Sequence, residues 1–339
     1  MLFLPEAAGP HDPQLTSAPR LPNSIRRTSS IDTSWPDGFE GNAQVDARAR
    51  DLLTSDDNAD RVIGAQRLSL TVGGPFKPIS AVGSSPLEEG LDALVGATIG
   101  PGFRRKVSES LPEHHDANSL LFLLLDDLPG ASLVSGYAMQ RAGAYGGEPD
   151  PSKPLPVTSK MDDLCAGWAR EGTMMVTIRE KGSIPVPVGP LAPTIEPKDD
   201  PLSWHEMTDL PARSMRRRRC LDLIQDPNEG DVVQLVAHFR DSYCDEDQIE
   251  HVVHEYSLAG SLNSKTGQVS SMSARAHVLP WMECPGALAS AGRVEGMEFA
   301  ELRDSVRRDF VGASTCTHLN DTLRSLADSE LLLRELQSA

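Results

Sequence analysis

"RRTSSIDTSWPDGFEGNAQVDARARDLL" (residues 26–53) and "RRRRCLDLIQDPNEGDVVQLVAHFRDSY" (residues 216–243) decide the fold, because they are two versions of one stretch. At an offset of 190, Arg26 and Arg27 meet Arg216 and Arg217, Ser30 meets Cys220, and Asp32 meets Asp222. Each version holds turn chemistry, "PDGFEGN" in the first and "PNEGD" in the second, followed by the alternation of a half-buried strand at 44–49 and 232–239. Self-similarity at a fixed offset is the mark of a repeated structural unit.

A second match lies downstream. Residues 84–128 align with 283–327 at an offset of 199, which pairs Pro86 with Pro285, Val107 with Val306, Leu111 with Phe310, Leu120 with Leu319 and Leu124 with Leu323. Between the two matches stand strand-like segments, "QRLSLTV" and "PISAV" in the first unit, "HEYSLAGSL" and "QVSSMSARAHVL" in the second. Helical patterns follow at 103–111 and 119–128, and again at 299–310 and 317–336, with further helices expected after Pro86 and Pro285. Strands first and helices last in each unit predict an α+β fold: a tandem duplication of a unit of β-hairpins followed by helices. The expected organisation is a disordered N-terminus at 1–23, a first repeat at 24–130, a Pro-rich connection with a short helical island at 131–213, and a second repeat at 214–330.

With 49 acids against 32 bases the chain carries a net charge of -17, which repels polyphosphate and argues against nucleic acid and anionic membrane surfaces as partners. The first residues, "MLFLPEAAGPHDP", lack the basic region of a secretion signal, and the apolar run at 120–125 falls far short of the roughly 20 residues a spanning helix needs. The five cysteines are widely spaced and form no CxxC, so a cytoplasmic protein without a disulfide framework is expected. "GATIGPGF" at 96–103 matches neither the dinucleotide nor the P-loop pattern, so no cofactor is expected. The oligomeric state is not legible.

Candidate chemistry gathers in the second unit. "ASTCTHLNDTLRSL" (313–326) sets Cys316 and His318 at a helix start, where the first unit has Ala117 and Ser119. Cys284 stands before Pro285 at an expected helix N-terminus, where the helix dipole lowers a thiol pKa. The competing reading is that Cys284 and Cys316 are small buried hydrophobes. Among residues 216–219 alternate arginines share a strand face, which makes Arg217 and Arg219 candidates for holding a substrate anion. "HVVHE" (251–255) is not HExxH, and on a strand His251 and His254 point to opposite sides, so no metal is assigned to that pair. "CDEDQIE" (244–250) reads as a solvated acidic loop.

The His-containing strand with His254, the step Cys284-Pro285 and the step Cys316-Thr317-His318-Leu319 resemble an uncharacterised bacterial family, the domain-of-unknown-function family 2889. The resemblance covers about residues 251–328 and has a weaker echo in the Arg-rich segments. It departs at Thr315, where the family has glycine, and in the doubled arrangement. It implies that Cys284, Cys316 and His318 lie together and implies no reaction. Three readings follow. One is an enzyme acting on a small anionic organic acid or thioester through a Cys/His site, with His318 as base. The second is a non-catalytic module binding a metabolite or protein, with the cysteines as core, and the third is a Cys/Cys/His metal site.

Overall fold

The two matched stretches form the four central strands of one sheet, two from each. A computed structural model of the chain describes residues 2–57, 59–73, 78–143 and 161–338. β1 (Ser24–Ser34), β2 (Asn42–Thr54), β3 (Asp60–Gly73) and β4 (Ile79–Ser85) form one antiparallel meander. β5 (Ser214–Gln225), β6 (Val232–Cys244), β7 (Glu250–Asn263) and β8 (Gln268–Val278) form the other. β1 pairs antiparallel with β5, so the order is β4-β3-β2-β1-β5-β6-β7-β8, the same sequence of strands read outward from the seam on both sides. At the seam Arg26 donates from Nε and Nη2 to Asp222 at 2.6 and 2.7 Å, and Arg216 donates likewise to Asp32 at 2.6 and 2.6 Å. Residues that correspond at the 190 offset thus exchange partners across the seam, as strands related by a two-fold axis do.

Helices cover one face. α1 (Phe103–Ser110), α2 (Pro112–Asp116) and α3 (Leu120–Arg141) follow the first meander; α4 (Thr173–Lys181) lies in the connection; α5 (Phe299–Asp309), α6 (Thr317–Ser325) and α7 (Ser329–Gln337) follow the second. The stripe Leu302, Val306 and Phe310 is buried, as its spacing requires, and packs with Leu319, Leu323, Leu235, Phe239 and Leu258. The first half has the matching core of Val107, Phe103, Leu124, Ala47, Leu68 and Leu70. Each such Leu, Val or Phe contributes roughly 1.5–3 kcal/mol by leaving water. The segments after Pro86 and Pro285 are 3-10 turns, Leu91–Leu94 and Cys284–Val294, rather than α-helices. The run "PGALASAG" explains the second case, since its glycines and serine hold an α-helix weakly. The helix expected over 317–336 is divided by a 3-10 turn at Leu326–Asp328.

α3 is longer than its apolar run predicts. Its 22 residues are long and apolar enough to cross a membrane, yet 78% of that apolar stretch is buried inside the fold. It reaches across the seam, because Asp126 accepts from Arg324 at 2.7 Å and Arg303 at 2.9 Å, and Asp127 accepts from Arg217 and Arg219. At Gly130 α3 packs closely on side chains from β5 and α6: a Cβ there would overlap the Arg217 guanidinium and the Asp321 carboxylate. Gly130→Ala is therefore expected to destabilise by about 1–3 kcal/mol through overpacking, although alanine is the better helix former by about 1 kcal/mol. The urea midpoint reads the sign, and an unchanged or raised midpoint would mean that α3 has room to shift.

The other face carries extended chain. Alternate β1 residues point there: Thr28 and Ser30 hold His205, while Arg27 points to the helices. Residues 191–207 cross this face, with Leu191 bridging His251 and with Ile195 and Trp204 packed on Cys220. Residues 1–23 are expected to be disordered; within them, residues 11–17 lie along this face as well, while Leu4 and Ala7 pack into the helix-side core. His11 bridges Val278, Asp12 N donates to His277 O at 2.9 Å, and Ser17 N donates to Ile195 O at 2.8 Å. The correction has a simple cause: an extended segment without internal periodicity finds its hydrogen bonds on the edge of β8 and on residues 191–207 instead of within itself. The expected island shows a 3-10 turn at Ala166–Trp168 followed by α4, while the Pro-rich "KPLPVTSK" lies outside the described residues.

Candidate functional site

β6 and β7 set Asp241 opposite His254, next to a bulge between Asp241 and Ser242. α6 starts one residue before His318, anchored by the fully buried Leu319 and Leu323, and this turns the His318 ring onto the sheet. The His254 and His318 rings stack with centroids 3.6 Å apart and planes 20° apart. His254 Nδ1 and His318 Nε2 each lie 3.6 Å from the same oxygen, Asp241 Oδ2. That is too long for a hydrogen bond, and His254 Nδ1 is buried with no hydrogen-bond partner. One donor atom from each residue lies within 4.8 Å of the other two. Asp241 is fully buried, while the His254 and His318 side chains keep 12% and 13% exposure, so the cluster has a way out to solvent.

Behind this cluster stands a filled charge network. Arg217 donates to Asp241 from Nε at 2.8 Å and from Nη2 at 3.1 Å, and from Nη1 to Asp127 at 2.9 Å. Arg219 donates to Asp127 twice at 2.7 Å and to Thr322 Oγ1 at 3.0 Å. Both guanidinium groups lie over the Phe239 ring, at 5.0 and 4.8 Å. The anion-holding role expected for Arg217 and Arg219 is therefore corrected: both are buried and their donors are taken by internal acids. Their charge holds the Asp127 and Asp241 carboxylates well below the usual range despite burial. Burial pushes His318 well below the ordinary histidine value, and its neighbour His254 adds to this.

Cys316 stands at the helix start that its sequence position predicts, while Cys284 does not. Cys284 is the first residue of a 3-10 turn and not an α-helix cap, and Cys316 stands at the N-cap position of α6 without a side-chain capping bond. Both are 5% exposed, and burial raises each pKa above the ordinary thiol value. Cys165, from the connection, joins them and is pushed up to about 12. The lowered pKa expected of a helix-end thiol is thus reversed, because desolvation outweighs a short helix dipole. Cys316 still meets His318, with Sγ 3.8 Å from Nδ1, and accepts from the Tyr256 hydroxyl at 3.2 Å.

Of the residues singled out, Cys316 and His318 come together, Cys284 lies in the same core, and Arg217 lies one residue behind, through Asp241. Asp241 and the pairing of His254 with His318 were missed. The offset of 190 carried a signal for them. Arg27 with Asp51 in the first half makes the same bidentate pair as Arg217 with Asp241, and Gly64 faces Asp51 where His254 faces Asp241. Both halves hold an arginine–aspartate pair, and the second has His254 where the first has Gly64.

Residues 215–331 match the family described as "Protein of unknown function (DUF2889)", in agreement with the resemblance drawn from the Cys-Pro and Cys-Thr-His-Leu steps. The matched span includes Asp241, His254, Cys284, Cys316 and His318, and the family's description assigns no activity. No curated protein and no solved structure matches the chain.

Proposed function

We propose that the second half holds a divalent transition-metal ion on Asp241, His254 and His318, and that the two halves are copies of one unit of which only this one carries the site. The convergence of two imidazole nitrogens on one carboxylate oxygen, at 3.6 Å each, carries the reading. Ligands about 2.0–2.2 Å from an ion stand at separations of this size from one another. Without a cation, two stacked imidazoles and an orphaned Nδ1 have no favourable partner. Two imidazoles and a carboxylate suit zinc, iron or nickel, and three protein ligands leave positions for substrate. The histidine expected as a general base becomes a ligand in this reading. The substrate class expected from the sequence, a small organic acid or thioester, suits an ion that polarises a carbonyl oxygen.

Isothermal titration of metal-free protein with zinc tests the proposal. One ion per chain is expected, and a His254→Ala, His318→Ala double variant with unchanged circular dichroism should lose at least a hundredfold in affinity. Wild-type protein that takes up no zinc, or a double variant that binds as tightly, would overturn it. One observation favours the non-catalytic binding module as the second reading: a cleft of about 520 Å³ lined by Leu4, Pro5, His11, Val188, Pro280 and Trp281. Such a cleft suits an apolar ligand, whose binding would survive loss of both histidines.

A further inference from the structure

We infer that residues 9–16 form a strap that opens as a unit and uncovers the His277–Ser257 pair, and that a main-chain clamp, Glu255 and Arg240 on Gln14, is its catch. The strap crosses the strands in turn. At the end of β8, Leu279 N donates to Pro10 O at 3.0 Å and Asp12 N donates to His277 O at 2.9 Å; Gln14 then reaches Glu255 on β7 and Arg240 on β6. Both ends are fixed. Leu4 and Ala7 pack into the helix-side core, while Ser17, 3% exposed, accepts the Trp204 indole N–H on Oγ at 3.3 Å and donates its N–H to Ile195 O. Arg20 donates to Asp200 from Nε and Nη2 at 2.8 and 2.7 Å. Between these anchors no residue from 8 to 16 is buried, and Leu15 is 75% exposed. A segment without buried side chains has little hydrophobic free energy to hold it and opens locally, below the cost of global unfolding.

What holds the strap is concentrated at one residue. Gln14 N donates to Glu255 Oε2 at 2.9 Å and Gln14 O accepts from Arg240 Nη2 at 2.8 Å, so both main-chain groups of Gln14 are gripped by an ion pair whose members are 0% and 1% exposed. The Gln14 side chain takes no part, since its Nε2 donates to Thr16 O. Glu255 and Arg240 are themselves fixed: Glu255 Oε1 accepts from Arg240 Nε at 2.8 Å and faces His238 Nε2 at 2.7 Å, and Arg240 Nη1 donates to Pro193 O at 2.7 Å. Charge-assisted bonds in a water-excluded place are the strong ones, whereas the ties at Pro10 and Asp12 join neutral main-chain groups. Beside the Asp12 tie, the His277 ring meets Ser257 Oγ through Nε2 at 2.9 Å and His277 is 7% exposed. His254, the neighbour of Glu255, points to the opposite face and onto His318, so the strap does not need the proposed ion.

Amide hydrogen exchange on the full chain, resolved by residue, tests the strap and its catch. In the wild type the Asp12 and Gln14 amides should exchange about a hundredfold or more faster than the central amides of β5 and β6, at rates that low urea leaves unchanged, as local opening requires. Gln14→Pro removes the N–H that Glu255 accepts. It should speed Asp12 by a further factor of about 10–100, the worth of one bond to a charged group, and leave Ser17 within about threefold of the wild type. Gln14→Ala keeps both main-chain groups and should exchange like the wild type. Carbethoxylation of His277 by diethyl pyrocarbonate, read by peptide mass spectrometry, should rise with the Asp12 rate in Gln14→Pro. Wild-type Asp12 and Gln14 amides as slow as those of β5 and β6, or Ser17 released together with Asp12, make residues 9–16 a fixed cover and overturn the strap. An unchanged Asp12 rate in Gln14→Pro overturns the catch, and an unchanged His277 rate with Asp12 released overturns the uncovering of His277. Should Gln14→Pro fail to fold, the wild-type rates decide on the strap, and Gln14→Ala decides on the clamp, because a faster Asp12 there would show that the side chain holds it.

Discussion

Arg217→Met lowers stability by about 3–5 kcal/mol, the expected loss when one partner of a buried charge network is removed. Methionine keeps an unbranched apolar stem and removes the guanidinium, which also lies over the Phe239 ring, so the loss is mainly one of charge. Asp241, whose carboxylate is 0% exposed, then loses the one guanidinium paired with it among the described residues, and Asp127 keeps Arg219. Asp321 also loses a contact, at 3.3 Å, although Arg104 and Arg324 remain near it. The comparison that isolates burial is Arg67→Met. Arg67 pairs with Asp46 at 2.8 Å, but its side chain is 54% exposed, and exposed pairs are worth about 0–1 kcal/mol. Urea unfolding followed by far-ultraviolet circular dichroism measures both variants. Equal midpoints for the two would mean that the network behind the site does not hold the sheet to the helices.

This network also shows what the sequence displays and what it hides. The alternating run at 44–49 and the period of four in Leu302, Val306 and Phe310 are local patterns, and each becomes the strand or helix it predicts. The α+β class follows from their order. The 190 offset sets Arg26 against Arg216 in the sequence, but such a match is not contact: Arg26 touches Asp222, the residue that the offset sets against Asp32. A reader of the sequence sees four arginines in a row and infers a basic face for an anion. The fold divides them between two faces of β5 and supplies each face with acids from far away, Asp127 and Asp241 on one side, Asp32 and Glu196 on the other. His254 and His318, 64 positions apart by residue number, likewise meet only because α6 returns over β7. The thiols mislead for a related reason. Helix-end position is visible in sequence, whereas the depth of burial that raises their pKa is a property of packing.

His205 gives the protein an acid sensitivity that a single substitution should remove. His205 belongs to the segment 191–207 that crosses the sheet, and its imidazole points down onto β1 with Nε2 on Ser30 Oγ at 2.8 Å and Nδ1 on Thr28 Oγ1 at 2.9 Å, 6% exposed. Arg50, Arg218, Arg48 and Arg216 surround it, so burial first and then four like charges push its pKa down to about 3. The unfolded chain titrates this residue at its ordinary value near 6.5. Between those two values the unfolded state holds a proton that the folded state refuses, so stability rises with pH across that window. The contribution is therefore fully present above about pH 6.5 and is lost at about 1.4 kcal/mol per unit as the pH falls towards 3. At about pH 4.5 the expected loss from this group alone is about 2.7 kcal/mol. His205→Gln keeps a polar side chain that does not titrate. Its unfolding free energy, measured beside the wild type from about pH 7.5 to 4.5, should lack that part of the slope, the two curves converging or crossing at low pH. Parallel curves would mean that the arginines around His205 are neutralised by Glu196, Asp32 and their neighbours, and that the covering segment closes over an imidazolium without cost.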